Sequence, residues 1–114
     1  MTPIYLNMWE DTKFIGVMDD FDVPEEAIKN LEILLASYGC ENYEGEAFVL
    51  YKKDGKLYEV NGGHCSCYGL EGQWEPVETT VAELLHRLDK GDLGTSTYSG
   101  NLFAEELRKL LRTL

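Results

Sequence analysis

Apolar residues recur every three or four positions from Ala27 to Tyr38, at Ala27, Ile28, Leu31, Leu34, Leu35 and Tyr38, the spacing of one helix face. Asp22 followed by Glu25 has the form of a capping box, Pro24 suits a first helical turn, and Gly39 supplies a left-handed stop. The pattern predicts a helix over 24–38. Further on the period changes. In EAFVLYKKDGKLYEVN, Asp54-Gly55 separates two β-rich runs as a two-residue type I′ turn requires. That turn sets Tyr51 opposite Tyr58 and Val49 opposite Val60. Ala47, Val49, Tyr51, Tyr58 and Val60 then share one face, and Phe48, Leu50 and Leu57 share the other with Lys52 and Glu59.

Thr80 with Glu83 opens another helix, with Val81, Leu84, Leu85 and Leu88 as its stripe and Gly91 as its end. After a polar turn, Asn101 is placed to cap a helix whose inward face is Phe103, Leu107, Leu110, Leu111 and Leu114. At the start of the chain, Ile4, Leu6 and Met8 alternate, as do Phe14, Gly16 and Met18, which reads as two short strands. Met8, Trp9, Phe14, Ile15 and Phe21 are expected in the core or an interface. The fold class expected is α+β: a short antiparallel sheet built on a hairpin at 46–61, with three helices at 24–38, 80–90 and 101–112 packed on it. The 114 residues suffice for one domain, 1–114.

Charge changes this picture. The chain carries 21 acids against 10 bases, net −11, and the excess is uneven. Residues 1–50 hold eleven acids and two bases, while 51–114 hold ten and eight. Such a field repels a phosphate backbone, so direct nucleic-acid binding is not expected unless Lys52, Lys53 and Lys56 act as a local exception. It attracts basic proteins, or simply keeps a small protein in solution. The candidate surface is Glu10, Asp11, Asp19, Asp20, Asp22, Glu25 and Glu26. No run is long enough to span a bilayer, and MTPIYLNMWEDTKF lacks the basic head and cleavage site of a signal peptide, so an intracellular protein with reduced thiols is expected.

Candidate chemistry collects in GGHCSCYGLEGQW, residues 62–74. His64, Cys65 and Cys67 are zinc-ligand types, with Cys40 as a fourth, although one residue between two cysteines is not the spacing of familiar structural sites. A nucleophilic thiolate would need a base, for which His86 is the candidate. A bridge within Cys-x-Cys would be strained. The bland alternative makes Cys65 and Cys67 small buried apolar groups, uses Gly62, Gly63, Gly69 and Gly72 for tight turns, and plugs the core with Tyr68, Leu70 and Trp74. The loop's rim would then offer His64, Ser66, Glu71 and Gln73 for binding. There is no phosphate-loop signature.

FVLYKKDGKLYEVNGGHCSCYGLEGQWEP, followed by ETTVAELLHRL and YSGNLFAEEL, resembles a family of small proteins encoded by tailed bacteriophages and prophages. The likeness covers about 38–112, and the acidic segment 1–37 lies outside it. The family has no assigned activity, so no functional residue carries over. The resemblance implies phage origin and residence in the cytoplasm of an infected bacterium. With the acidic segment it leads to an expectation of a non-catalytic acidic binding protein. Such a protein would inhibit a basic nucleic-acid-handling or defence protein, in the manner of anti-CRISPR or anti-restriction proteins. No cofactor is expected on that reading. The alternatives are a metal- or thiol-dependent enzyme or switch at His64, Cys65 and Cys67, with zinc as the ion, and a self-associating structural or packaging accessory.

Overall fold

The computed structural model describes residues 3–41, 44–64, 69–91, 93–96 and 100–114, with side chains except at 40, 41, 44, 64, 95, 96 and 101. Elements follow in the order β1 (Ile4–Asn7), α1 (Trp9–Phe21), α2 (Glu25–Ile28), β2 (Glu32–Glu41), β3 (Glu44–Lys53), β4 (Lys56–His64), β5 (Val77–Thr79), α3 (Val81–Lys90), β6 (Thr95–Ser96), β7 (Gly100–Asn101) and α4 (Ala104–Leu111). The class is α+β. Five strands form a mixed sheet in the order β1-β2-β3-β4-β5, and β6 and β7 make a separate two-stranded ribbon. The chain divides into two compact units, 1–78 and 79–114.

The hairpin is as its residues dictate. Tyr51 pairs with Tyr58 and Val49 with Val60. Asp54 and Gly55 both have positive φ, 52° and 79°, the requirement of a type I′ turn. Ala47, Val49, Tyr51 and Val60 lie in one core cluster, with Tyr58 packed at its edge, while Phe48 and Leu50 are buried on the opposite face.

Two of the expected elements are of the wrong type. The helix read over 24–38 is a single turn, α2, followed by strand β2, which pairs antiparallel with β3 and parallel with β1. Ile33, Leu34, Leu35 and Ala36 are all buried, as in a strand covered on both faces. An uninterrupted apolar run of that kind satisfies helical and strand patterns alike, and pairing with β3 decides between them. A bulge between Ile33 and Leu35 accommodates the run.

The second correction concerns 9–21, which is helix rather than strand. Phe14, Val17, Met18 and Phe21 are spaced as one helical stripe, and the alternation of Phe14, Gly16 and Met18 is incidental. The helix connects two parallel strands, the connection that parallel pairing demands. It is not regular throughout: Lys13 has φ 55° and ψ −133° and kinks it after its first turn. Gly16 sits at this kink, where a Cβ would collide with the Thr12 side chain and lie 2.9 Å from Trp9 Cδ1. Asp22 ends the helix in the left-handed region, φ 54°.

Trp9, Val17 and Phe21 carry α1 into the core cluster with Ile33, Ala36, Tyr38 and Leu70. Trp9 meets Tyr38 and Phe21 at centroid distances of 5.3 and 5.9 Å, and its Nε1 donates to Asp20 Oδ2 at 2.7 Å. Met8 and Ile15, in contrast, are 55% and 60% exposed.

In the second unit α3 forms where expected. Thr80 Oγ1 accepts from the Glu83 N–H at 3.1 Å, and Gly91 closes the helix with φ 79°. It lies against α4, and Arg108 Nη1 reaches Asp89 Oδ1 at 2.8 Å. The start of α4 departs from expectation: Asn101 belongs to β7, and Phe103 is the N-cap without a side-chain bond. The Gly94 carbonyl instead accepts from the N–H groups of Leu102, Phe103 and Ala104 at 2.8, 3.1 and 3.1 Å. These donors would otherwise lack partners.

Candidate glycine-rich loop and acidic face

β4 delivers the chain into the glycine-rich stretch, and one side chain, that of Gln73, anchors it. Gln73 Oε1 accepts from the Gly63 N–H at 2.7 Å, and Nε2 donates to the carbonyls of Gly63 and Gly69, each at 2.7 Å. A tight turn sets that position, with Gln73 N–H donating to the Leu70 carbonyl at 3.0 Å and Gly72 at φ 78°. Gly62 permits a close approach, since a Cβ there would lie 3.1 Å from Leu70 Cδ2 and 3.3 Å from Phe21 Cε1. Leu70 is buried and Trp74 half-buried, as expected of core plugs. Trp74 packs edge-on to Phe21 at 5.1 Å and stacks on Tyr51 at 6.2 Å, and Tyr51 stacks on Tyr58 at 5.3 Å. Burial, with Tyr58 beside it, pushes the Tyr51 hydroxyl pKa above its ordinary value.

The rim residues separate on this frame. Gln73 faces inward as a clasp, and Glu71 is exposed. Cys65, Ser66, Cys67 and Tyr68 lie outside the described residues, as do the side chains of His64 and Cys40. The backbone still places two of them: Cys40 on β2 is opposite Gly45 on β3, and Gly45 is opposite His64 on β4. Cys40, Gly45 and His64 therefore form one row across three strands, a proximity hidden in the sequence by the helical reading of 24–38. Among the described residues no group of three His, Cys, Asp or Glu side chains could hold a metal. His86, the candidate base, is exposed on α3.

The acidic residues gather on α1 and α2 and the bend between them. Glu10, Asp11, Asp19, Asp22, Glu25 and Glu26 are exposed, and none has an ion pair with a described residue. Asp20 differs from the rest. Its carboxylate is the partner of the buried Trp9 indole, a structural task that its position in an acidic string did not signal. Ile15, on the same helix, is apolar and 60% exposed. Lys52, Lys53 and Lys56 are exposed around the hairpin turn.

A second feature missed in the sequence is Glu59, a carboxylate only 5% exposed on β4, which accepts from Asn61 Nδ2 at 2.7 Å. Its strand position alternates with apolar neighbours, but nothing local marks it as buried. No helix among the described residues is long and apolar enough to cross a membrane. No known family model, curated protein or solved structure matches this chain.

Proposed function

We propose that the chain is a non-catalytic acidic binding protein that docks α1 and α2 on a basic surface of a nucleic-acid-handling or defence protein, within an infected bacterial cell. The observation that carries this reading is the set of six exposed carboxylates, Glu10, Asp11, Asp19, Asp22, Glu25 and Glu26, unpaired with other described residues. Carboxylates already neutralised by lysines would offer a partner little. These remain available to cations on another molecule, and their field accelerates encounter.

Ile15 gives this surface a centre. A charged rim steers association, but affinity concentrates in apolar contacts that exclude water. A β-branched side chain 60% exposed, one helical turn before the exposed Asp19, supplies such a contact. Inhibition would follow from occupation of a channel built for phosphate. Self-association through exposed N-terminal aromatics has less support, because Trp9 and Phe21 are buried and Phe14 is half-buried.

The test is displacement of labelled DNA from a panel of bacterial nucleases and DNA-binding proteins by the purified chain. Competition should weaken with added salt and fail when the six acids are replaced by lysine. A competitor whose potency survives that charge reversal would overturn the reading.

A further inference from the structure

We propose that β1 is a dimerisation edge, on which a second copy of this chain adds its own β1 antiparallel about a two-fold axis through Tyr5. Among the described residues β1 pairs on one side only, with β2, and it stands at one end of the strand order. The Met8 N–H donates to the Tyr38 carbonyl on β2 at 2.9 Å. Backbone groups alternate in direction along a strand, so Ile4 and Leu6 face β2 as Met8 does. Tyr5 and Asn7 therefore turn their N–H and carbonyl groups outward, together with the Pro3 carbonyl. Such a row is a template for another strand.

What singles out a second copy is self-complementarity. With Tyr5 opposite its counterpart, the two tyrosines exchange both backbone bonds, and Asn7 of each copy donates to the Pro3 carbonyl of the other. Pro3 has no N–H, and in this register its absence forfeits only a bond to the Asn7 carbonyl. Ile4 of each copy then lies opposite Leu6 of the other, so apolar side chains meet apolar ones. Ile4, Tyr5 and Leu6 are half-buried beside a single neighbouring strand, and a second strand covers their open flank.

Charge favours the same occupant. Each copy carries net −11, so contact is least opposed where charge is absent. No side chain in residues 1–9 is charged, and β1 holds none of the lysines that commonly blunt an edge. The first acids, Glu10 and Asp11, follow on α1. In the paired register the two Asn7 positions that lead into these helices are about 14 Å apart. That exceeds the screening length of about 8 Å at physiological salt.

The test is sedimentation equilibrium of the full chain over a range of concentrations, paired with amide hydrogen exchange. A monomer–dimer equilibrium is expected, in which the Tyr5 amide gains protection as the dimer fills while the Leu6 amide, already turned toward β2, changes little. Tyr5→Pro removes an outward donor at an edge position that tolerates proline. It and Leu6→Lys should each weaken the dimer by at least about tenfold. An Ile4→Lys chain mixed with a Leu6→Glu chain should form a mixed dimer, because the register sets the new charges opposite each other. Val77→Lys, on β5 at the other end of the strand order, should leave the dimer unchanged. A chain that stays monomeric at every concentration overturns the proposal, as does a dimer that leaves Tyr5 exchange unaltered. So does a dimer lost in Val77→Lys and kept in Leu6→Lys. If the β1 variants do not fold, Tyr5 exchange in the wild type decides.

Discussion

The side-chain amide of Gln73 pairs with both backbone polar groups of Gly63, accepting from its N–H and donating to its carbonyl, each at 2.7 Å. The same amide nitrogen makes a third bond, to the Gly69 carbonyl at 2.7 Å, and so ties the two glycines together. Gln73→Ala should cost about 2–3 kcal/mol, since three hydrogen bonds vanish at once. Gln73→Glu should be at least as costly, because an oxygen would then face two carbonyls. Urea unfolding measures both, and the Gly63 amide should exchange faster with solvent in each variant.

Gly94 is irreplaceable for two reasons. Its φ is 76°, and a Cβ would stand 2.7 Å from the Ala104 backbone nitrogen. Gly94→Ala should therefore displace the carbonyl that fills the start of α4, at a cost of more than about 2 kcal/mol. Gly55 also has positive φ, but open space surrounds it. Gly55→Ala should cost only about 1 kcal/mol, so the ratio of the two effects in thermal melts checks the argument.

Lys13 adopts a conformation that suits glycine. Lys13→Gly should relieve strain of about 1 kcal/mol or more and raise the melting temperature, the reverse of the usual effect of glycine within a helix. A fall in melting temperature would show that the kink is not strained.

Alkaline pH should lower stability through Tyr51, and through Tyr5, whose burial raises its pKa likewise. The folded pKa of Tyr51 is raised above the ordinary value of 10.0, so the unfolded chain loses that proton first. Stability is complete below about pH 10 and declines as pH rises from there toward the folded pKa. Tyr51→Phe should flatten the decline, which urea titrations between about pH 8 and 11 would reveal.

Asp20→Asn and Asp19→Asn should separate structure from surface. The first weakens the bond to a buried Trp9 indole and should cost about 1 kcal/mol, with a change in tryptophan fluorescence. The second alters an exposed carboxylate and should leave stability within about 0.5 kcal/mol.

The legible parts of the chain are those whose signals are local. Asp54-Gly55 fixes its hairpin register, and Thr80 with Glu83 fixes the start of α3, because turn geometry and capping act within a few residues. β2 was not legible. Its run of buried residues follows a good capping pattern at Asp22, and only pairing with β3 and β1, distant in sequence, makes it a strand. The stripe from Phe14 to Phe21 was legible in principle, but alternation over a shorter window obscured it. At the candidate sites, the acidic surface could be read as a list. The different duty of Asp20, the clasp of Gln73 and the row through Cys40 and His64 all depend on partners that no spacing rule connects.

The parallel seating of β1 beside β2 has a consequence for how the molecule assembles. β2, β3 and β4 are joined in succession and can zip outward from the Asp54–Gly55 turn, whereas β1 reaches its place only after α1 and α2 have crossed over. Closing that longer loop costs entropy before any β1 contact repays it. The three-stranded meander is thus the natural nucleus, and the N-terminal strand and its helix the last pieces to lock. Mutations in the hairpin should slow folding, and mutations at Ile4, Tyr5 or Leu6 should chiefly hasten unfolding.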